Sequence, residues 1–225
     1  MALRADTTGQ TGVMADRLVL ASTSRYRAEV LASAGYSFDV EAPEIDERAF
    51  DDRFESWGPQ RYVMELATAK AEAVARRLVG DGPELSQRHL VLGCDQIAVL
   101  GGDDRPTLLH KPGSAERAVA QLMEMSGRTH RLINAFVLVD ASDGERWSEI
   151  DVHHVTMRSY TVGEACEYVD RFEPLDCAGS YRIEDDADLL DRVEGEHRSG
   201  VIGLSIPSVA RLLDAAGSGS SIPRS

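Results

Sequence analysis

Apolar residues along this chain keep changing their spacing, from the short runs typical of strands to the three- and four-residue spacing typical of helices. An apolar run at 18–21 predicts a buried strand, and the serine-rich turn at 22–24 suits a helix N-cap. A helix over 25–34 should then end at Gly35. Such switching of period predicts a mixed α and β structure.

The same pattern predicts the remaining elements and the domain limits. We expect strands over 37–41, 89–100, 129–140 and 146–158, a return of the chain at 108–111, helices over 59–79, 115–125, 162–171 and 207–216, and an irregular segment between the last two helices, up to about residue 205. No repeat or composition break divides 17–216, which predicts one domain. Residues 1–16 are small and polar and 217–225 are linker-like, so both ends are expected to be flexible and unpacked.

Composition narrows the function classes. The chain has 225 residues, 43% of them hydrophobic, and a formal net charge of -14, which disfavours binding to duplex nucleic acid or a membrane surface. No apolar run approaches the ~18 residues of a membrane span, and the first residues do not form a secretory signal. Cys94, Cys166 and Cys177 are an odd set without metal-ligand spacing, so we expect reduced thiols and a soluble cytoplasmic protein.

Two lysines stand out against the other cations. Of the 24 basic side chains, all but Lys70 and Lys111 are arginine. A retained lysine indicates a place where a compact, rotatable ammonium is needed, although chance is an alternative explanation.

Two local features indicate chemistry. Asp95 lies inside an otherwise apolar strand, where a carboxylate needs a partner, a metal or a reaction, and Gly93 before it allows a ligand or another backbone to approach. The alternative for Asp95 is a cap on a neighbouring turn. The turn at 22–24 could bind phosphate at a helix N-terminus, with Arg25 and Arg27 in the first turn; ordinary capping by Ser24 is the alternative. His153 and His154 are adjacent in a strand, so they face opposite sides and cannot chelate one metal together.

Several motifs spread along the chain resemble those of the Maf family of nucleoside triphosphate pyrophosphatases. They are the Ser-Thr-Ser-Arg-Tyr-Arg run at 22–27, the acidic element ending at Glu47, the lysine motifs at Lys70 and Lys111, the Gly-Cys-Asp-Gln element with Asp95, the Ser-Gly-Arg-Thr-His segment at 126–130 and the Cys-Ala-Gly-Ser element at 177–180. His110 and Ser205 depart from the family pattern, in which glycine and proline are usual at these positions.

The resemblance implies a fold and a reaction. The expected fold is α/β, with a mixed twisted sheet flanked by helices and two lobes around a cleft, as in Maf proteins and inosine triphosphatases. The expected reaction is hydrolysis between the α and β phosphates. It implies a divalent cation, Mg²⁺ or Mn²⁺, on the oxygen ligands Glu47 and Asp95. Asp95 would act as the base, with Lys70, Lys111 and Arg27 holding the phosphates, and Ser22 would contact substrate.

Four features resemble the branch of the family that acts on 7-methyl-GTP. They are Tyr26, Gln96, the element at 177–180 and Glu184. A methylated guanine carries a positive charge, which an aromatic face can stack on and a carboxylate can pair with. Helix packing for Tyr26 and a solvated charge for Glu184 are the alternatives. Two other functions stay open, a dTTP and UTP pyrophosphatase or a nucleotide-binding cell-division regulator with low turnover, and a homodimer is left open.

Overall fold

The computed structural model describes residues 15–80, 87–185, 188–219 and 222, except for the side chain of Glu184. Within these residues the centre is one mixed sheet of seven strands. The strands are β1 (Arg17–Ala21), β2 (Phe38–Glu41), β3 (His89–Leu100), β4 (Thr107–Leu109), β5 (Thr129–Asp140), β6 (Arg146–Met157) and β7 (Leu190–Glu194).

Helices flank this sheet. The α-helices are α1 (Arg25–Ser33), α2 (Phe54–Trp57), α3 (Pro59–Val79), α4 (Ala115–Met125), α5 (Val162–Phe172), α6 (Arg198–Val201) and α7 (Ile206–Ala215), and 3₁₀ turns cover Glu47–Arg53 and Ile183–Asp185. Local sequence sets several of their ends. Ser24 caps α1, Gly35 follows it with a φ of 83°, and Thr161 and Glu164 form a capping box on α5.

The strand order is β2-β1-β3-β5-β6-β7, with β4 paired to the end of β3. The pairs β1–β2 and β1–β3 are parallel, and every other pair is antiparallel. Parallel neighbours need a crossover connection, which α1 and α3 supply. The chain therefore builds a mixed open sheet, and the predicted α/β class is confirmed.

Alternate residues of the strands build cores on opposite faces of the sheet. Val91 and Val99 of β3 pack under α3, whereas Leu90 and Leu92 pack with α1 and α7. A third cluster joins the far end of β3 to α4 and α5. The face opposite α3 is thus covered by two separate helix groups. No helix in the described ranges is long and apolar enough to cross a membrane.

The predicted strands and helices are found within one or two residues of their expected ends, and the long helix over 59–79 is matched at both. One expectation about the helices and strands is wrong: the segment before residue 205, predicted to be irregular, contains β7 and α6. The acidic stretch before α3, to which no helix was assigned, forms a 3₁₀ turn followed by α2.

The predicted flexible ends have different outcomes. Residues 1–14 lie outside the described ranges, so that expectation stays untested for them. The expectation that residues 217–225 do not pack is wrong for Ser218 and Ile222, which are buried. Arg88 donates from Nη1 to Ser218 Oγ at 3.0 Å, and Ile222 joins the core beside β1, because this tail supplies an apolar side chain that the core can bury.

Candidate active site

A cleft of about 1040 Å³ opens beside β3, where β1 ends and Ser22 begins the next turn. One edge of β3 pairs with β5 along almost its whole length. On the other edge β1 pairs as far as Gly93 and β4 pairs from Ala98. Within the described chain, residues 94–97 therefore have no strand partner on that edge, and the cleft occupies the gap.

Lys70 joins two carboxylates in this cleft. Its Nζ lies 2.5 Å from Asp95 Oδ1 and 2.7 Å from Glu47 Oε1. Lys70 and Asp95 are 5% and 6% exposed, whereas about half of the Glu47 side chain is open to solvent. Lys70, Glu47 and Asp95, which were all predicted as site residues, therefore meet at one ammonium group.

A glycine brings the helix and the strand of this site together. A Cβ on Gly93 would lie 2.3 Å from the carbonyl oxygen of Ala67 and 2.8 Å from the nitrogen of Ala71, both on α3. Only a residue without a side chain lets α3 approach β3 so closely. The backbone of α3 is therefore what approaches Gly93, and Lys70 comes to lie beside Asp95.

The two carboxylates have different acidities. Burial raises the pKa of Asp95, although Lys70 and Arg27 act in the opposite direction. Burial also acts to raise the pKa of Glu47, but the charge of Lys70 and its hydrogen bond, with Lys111 and Arg27, hold that pKa below its ordinary value. The raised pKa of Asp95 suits a proton acceptor, and the lowered pKa of Glu47 favours its ionised form.

The turn after β1 carries Ser22 and Arg27 into the cleft. Arg27 donates from Nη1 to the carbonyl of Cys94 at 2.8 Å and from Nε to that of Gly203 at 3.1 Å. The Cys94 carbonyl belongs to the unpaired stretch of β3, so the guanidinium is fixed against the gap. Ser22 is 4% exposed, and its Oγ accepts from the amide of Ser24 at 3.1 Å.

Tyr26 and Gln96 also line the cleft, in different surroundings. The Tyr26 ring is 37% exposed, and the guanidinium carbon of Arg25 lies 5.0 Å from its centroid. Gln96 is anchored, because its Nε2 donates to the carbonyls of Gly200 at 3.2 Å and Val201 at 3.1 Å. The aromatic ring is therefore open to a ligand, while the amide is fixed to the segment opposite.

Lys111 and His110 lie on the opposite side of the gap, just after β4, and both are exposed. The His110 carbonyl accepts from Gln121 Nε2 at 2.9 Å, which ties this turn to α4. Lys111 therefore faces the cleft from the β4 side of the gap, opposite the turn that follows β1.

Cys177 and Ala178 of the element at 177–180 also line the cleft, together with Tyr181. Glu184 lies within the short 3₁₀ turn that follows, but its side chain lies outside the described part of the chain. The expected pairing of Glu184 with the methylated guanine of the substrate therefore remains a prediction.

Several lining residues were missed by sequence reasoning. Tyr62 of α3 donates from its hydroxyl to Asp51 at 3.0 Å, and Val201 and Ile202 line the cleft from α6 and the turn after it. Arg182 lies near Tyr181 and pairs with Asp176 at 3.3 Å. Only the polarity of the acidic stretch hinted at Asp51, because the other contacts depend on tertiary packing.

The oxygen donors of the cleft suit a hard divalent cation, although they are few. Glu47 and Asp95 both reach Lys70 Nζ, so a position between them already receives one positive charge. No group of three or more His, Cys, Asp or Glu side chains in the described residues has the arrangement of a metal site. Protein ligands alone would leave a cation with open positions, as is usual for Mg²⁺ bound together with substrate phosphates.

Comparisons with known proteins agree with one another. The family model described as Maf-like protein matches residues 17–216. A 7-methyl-GTP pyrophosphatase of Burkholderia lata is 38% identical over 201 residues, covering 89% of this chain and 90% of that protein. Proteins of the same name from Xanthomonas oryzae pv. oryzae and Chromohalobacter salexigens are 37% and 35% identical, covering 91% and 89% of this chain and 98% and 96% of their own.

Proposed function

The chain belongs to the Maf family, and from that premise we propose that it hydrolyses 7-methyl-GTP between the α and β phosphates. The observation that carries the proposal is the buried Lys70 held between Glu47 and Asp95 in an open cleft. The names of the relatives support both the reaction and 7-methylguanine as the nucleobase of the substrate. Such a site combines a proton acceptor with cations for phosphate, as nucleotide hydrolysis requires.

Each residue has a role in this reaction. Water adds to the α phosphorus, the bond to the bridging oxygen breaks, and 7-methyl-GMP and pyrophosphate leave. Asp95 accepts the proton of the attacking water, a role that its raised pKa supports. Lys70, Lys111 and Arg27 offset charge on the phosphates from both sides of the cleft, and Ser22 contacts substrate in the turn after β1.

We propose that Glu47 and Asp95 also hold a divalent cation, Mg²⁺ or Mn²⁺. When bound, the cation would supply neutralising charge to the phosphate oxygens. The low pKa of Glu47 keeps a negatively charged oxygen donor available at neutral pH. Lys70 keeps the two carboxylates close together without the cation, because its ammonium offsets their repulsion.

The base-recognition part of the proposal rests on Tyr26, Gln96 and Glu184. The Tyr26 ring already lies near one delocalised cation, the guanidinium of Arg25, whose side chain is 76% exposed. A cationic methylated guanine would gain ~0.5 to 2 kcal/mol from the same kind of contact. Gln96 holds Val201 at the cleft wall, and Glu184 would pair with the base.

We further propose a cytoplasmic location and no binding to duplex nucleic acid. The free thiols Cys94, Cys166 and Cys177 support the first, and the net charge of -14 supports the second.

The catalytic assignment is tested with Asp95→Asn, which keeps the size of the side chain but removes the base. We expect turnover at saturating Mg²⁺ to fall by at least ~100-fold, since general-base catalysis contributes on that scale. Asp103→Asn is the matched control, because Asp103 pairs with Arg131 on the surface and should leave turnover unchanged. Near wild-type turnover of Asp95→Asn would refute the assignment.

The substrate is tested by pyrophosphate release from 7-methyl-GTP, GTP, dTTP and UTP measured side by side. We expect kcat/KM for 7-methyl-GTP to exceed that for GTP by ~10-fold, since the free energy of one desolvated cation–π contact corresponds to about that factor. Tyr26→Ala and Glu184→Ala should reduce this preference more than turnover, and Tyr26→Phe should keep it. Preference for dTTP or UTP would assign the alternative branch, and no turnover on any of them would favour the regulator.

A further inference from the structure

Three neighbouring strands carry polar residues at one level of the sheet, on the face opposite α3. Gln96 of β3 is the register partner of Asn134 on β5, which is in turn the partner of Asp151 on β6. Asn134 is fully buried and Asp151 is 5% exposed. Asp151 Oδ2 lies 2.8 Å from Nε2 of His153, which is 1% exposed. The row separates the two helix-covered cores of that face.

The segment formed by α6 and Gly203 lies over this row. The carbonyl of Gly200 accepts from Asn134 Nδ2 at 2.9 Å and from Gln96 Nε2 at 3.2 Å. The Gly203 amide also donates to this carbonyl, at 3.0 Å, so the two side chains add to the bond that closes the turn after α6. The amides of two strands thereby fix the end of α6 to the sheet.

The contact is so close that it needs glycine. A Cβ on Gly200 would lie 2.1 Å from His153 Nε2 and 2.2 Å from Asp151 Oδ2, and one on Gly195 would lie 1.8 Å from His153 Nδ1. The backbone of the segment therefore lies directly on the Asp151–His153 pair, which leaves α6 little freedom to shift.

The same segment reaches the cleft. Val201 and Ile202 line it, and the Gly203 carbonyl accepts from Arg27 Nε at 3.1 Å. Gly203 has a φ of 98°, a conformation that glycine adopts readily. The position of α6 thus determines both part of the cleft wall and one of the two carbonyls that orient Arg27.

Stability alone does not explain an amide at Asn134. Its Oδ1 is buried and has no hydrogen-bond partner among the described residues, and a buried acceptor left unpaired costs free energy. Leucine has the same number of side-chain heavy atoms and no acceptor, so it would avoid that cost. The hydrogen bond from Asn134 Nδ2 to the Gly200 carbonyl therefore explains why an amide is present at this position.

We propose that Asn134, Asp151 and His153 are positioning residues for the nucleotide site. They hold α6 and Gly203 in place, and through the Gly203 carbonyl they orient the Arg27 guanidinium toward the phosphates. The phosphate contact of Arg27 rests on the proposed function, whereas the seating of α6 does not.

The first test is Asn134→Leu, measured by steady-state kinetics with 7-methyl-GTP, by calorimetric titration with inorganic pyrophosphate and Mg²⁺, and by thermal unfolding. We expect KM and the dissociation constant of pyrophosphate to rise by roughly tenfold, kcat to change less than about threefold, and Tm to stay or rise. A purely structural role would lower Tm and leave KM unchanged. Unchanged KM and pyrophosphate affinity would overturn the proposal.

The second test does not alter the buried strand residue. Gly200→Ala improves helix propensity but places a methyl group against His153, so KM should rise. His154→Ala is the matched control, because His154 is exposed on the other face of β6, and should match wild type. No rise in KM for Gly200→Ala would contradict the proposal.

The pyrophosphate titration separates two kinds of failure. If wild type released no pyrophosphate from any nucleotide yet Asn134→Leu weakened pyrophosphate binding, the proposed reaction would fail and the positioning role would stand. If wild type turned over 7-methyl-GTP and the variant bound pyrophosphate normally, the positioning role would fail alone.

Discussion

Lys70 is the residue on which the electrostatics of the cleft depend. It is the only cation that the structure's described residues place within 4 Å of both Glu47 and Asp95. Without it, Asp95 would be a buried carboxylate close to another negative charge, an arrangement that costs several kcal/mol, typically ~3 to 5. A retained lysine in an arginine-rich chain is therefore accounted for by the small space between the two carboxylates.

Lys70→Arg preserves the charge but places a planar guanidinium where a compact ammonium lies. We expect kcat/KM to fall by at least ~10-fold, because a misplacement of about 1 Å in such a site costs that much or more. Lys111→Arg should also impair activity, by a smaller factor, since Lys111 is exposed. Steady-state kinetics of both variants checks this. Wild-type values for both would mean that the two lysines are retained by chance.

His130 provides a test of stability against pH. It is 1% exposed, its Nε2 lies 2.9 Å from the Tyr181 hydroxyl, and burial lowers its pKa to about 4. Below about pH 6.5 the unfolded chain binds a proton that the folded chain does not, so stability falls as the pH drops toward 4. The loss from this residue should reach ~2 kcal/mol at pH 4.5.

Urea unfolding of wild type and His130→Gln at pH 7 and pH 4.5 measures this loss. Glutamine removes the titrating group and can still bond to Tyr181, so the free energy of unfolding of the variant should depend less on pH. Equal changes in both proteins would show that His130 does not contribute.

At the scale of elements, α3 organises the acidic segment that carries Glu47. Three of its side chains on one face, Tyr62, Lys70 and Arg77, bond to successive parts of that segment. Arg77 donates from Nη1 to the carbonyl of Pro43 at 3.3 Å and from Nη2 to that of Ala42, and lies 3.8 Å from Glu44. The helix therefore fixes this segment at both ends.

Arg77→Ala removes the anchor at the start of the segment. Because Glu47 is then held less firmly, we expect a higher Mg²⁺ concentration for half-maximal activity, with a stability loss of only about 1 kcal/mol for an exposed side chain. Arg76→Ala is the matched control, since Arg76 pairs with Glu72 on α3 itself at 3.4 Å. The same Mg²⁺ dependence for both variants would contradict this role for Arg77.

The elements differ in how well their sequences predict them. The long helix α3 and the strands β3 and β5 have many buried apolar positions, so their apolar patterns are clear. Strand β7 is an exposed edge of mixed charged residues, and α6 is four residues long, so neither has a period to detect. Lys70 and Asp95 were predicted as site residues because a lysine is rare in this chain and a carboxylate is rare in an apolar strand, and Glu47 was predicted from the family resemblance. The position of α6 depends on tertiary contacts that no local sequence pattern shows.

At the scale of the whole molecule, the charge of the cleft differs from that of the protein. The cleft is lined by the cations Arg25, Arg27, Arg48, Lys70, Lys111 and Arg182 and by the carboxylates Asp46, Glu47, Asp51, Asp95 and Asp176. The two signs nearly balance there, whereas the chain as a whole carries -14. Since salt screens charges beyond ~10 Å, a nucleotide in the cleft responds mainly to the local set.

Residues near the end of the chain contact residues before β1 and before β3, away from the cleft. Ser218 bonds to Asp16 and Arg88, Arg88 donates to the carbonyl of Ala216 at 2.9 Å, and Ile222 is 3% exposed in the core beside β1. Ile222→Ala should therefore lower the free energy of unfolding by ~2 kcal/mol, and Ile222→Val by less than about 1 kcal/mol. Urea unfolding measures both, and kcat/KM should stay at the wild-type value. An Ile222→Ala variant as stable as wild type would show that this end of the chain adds nothing to the core.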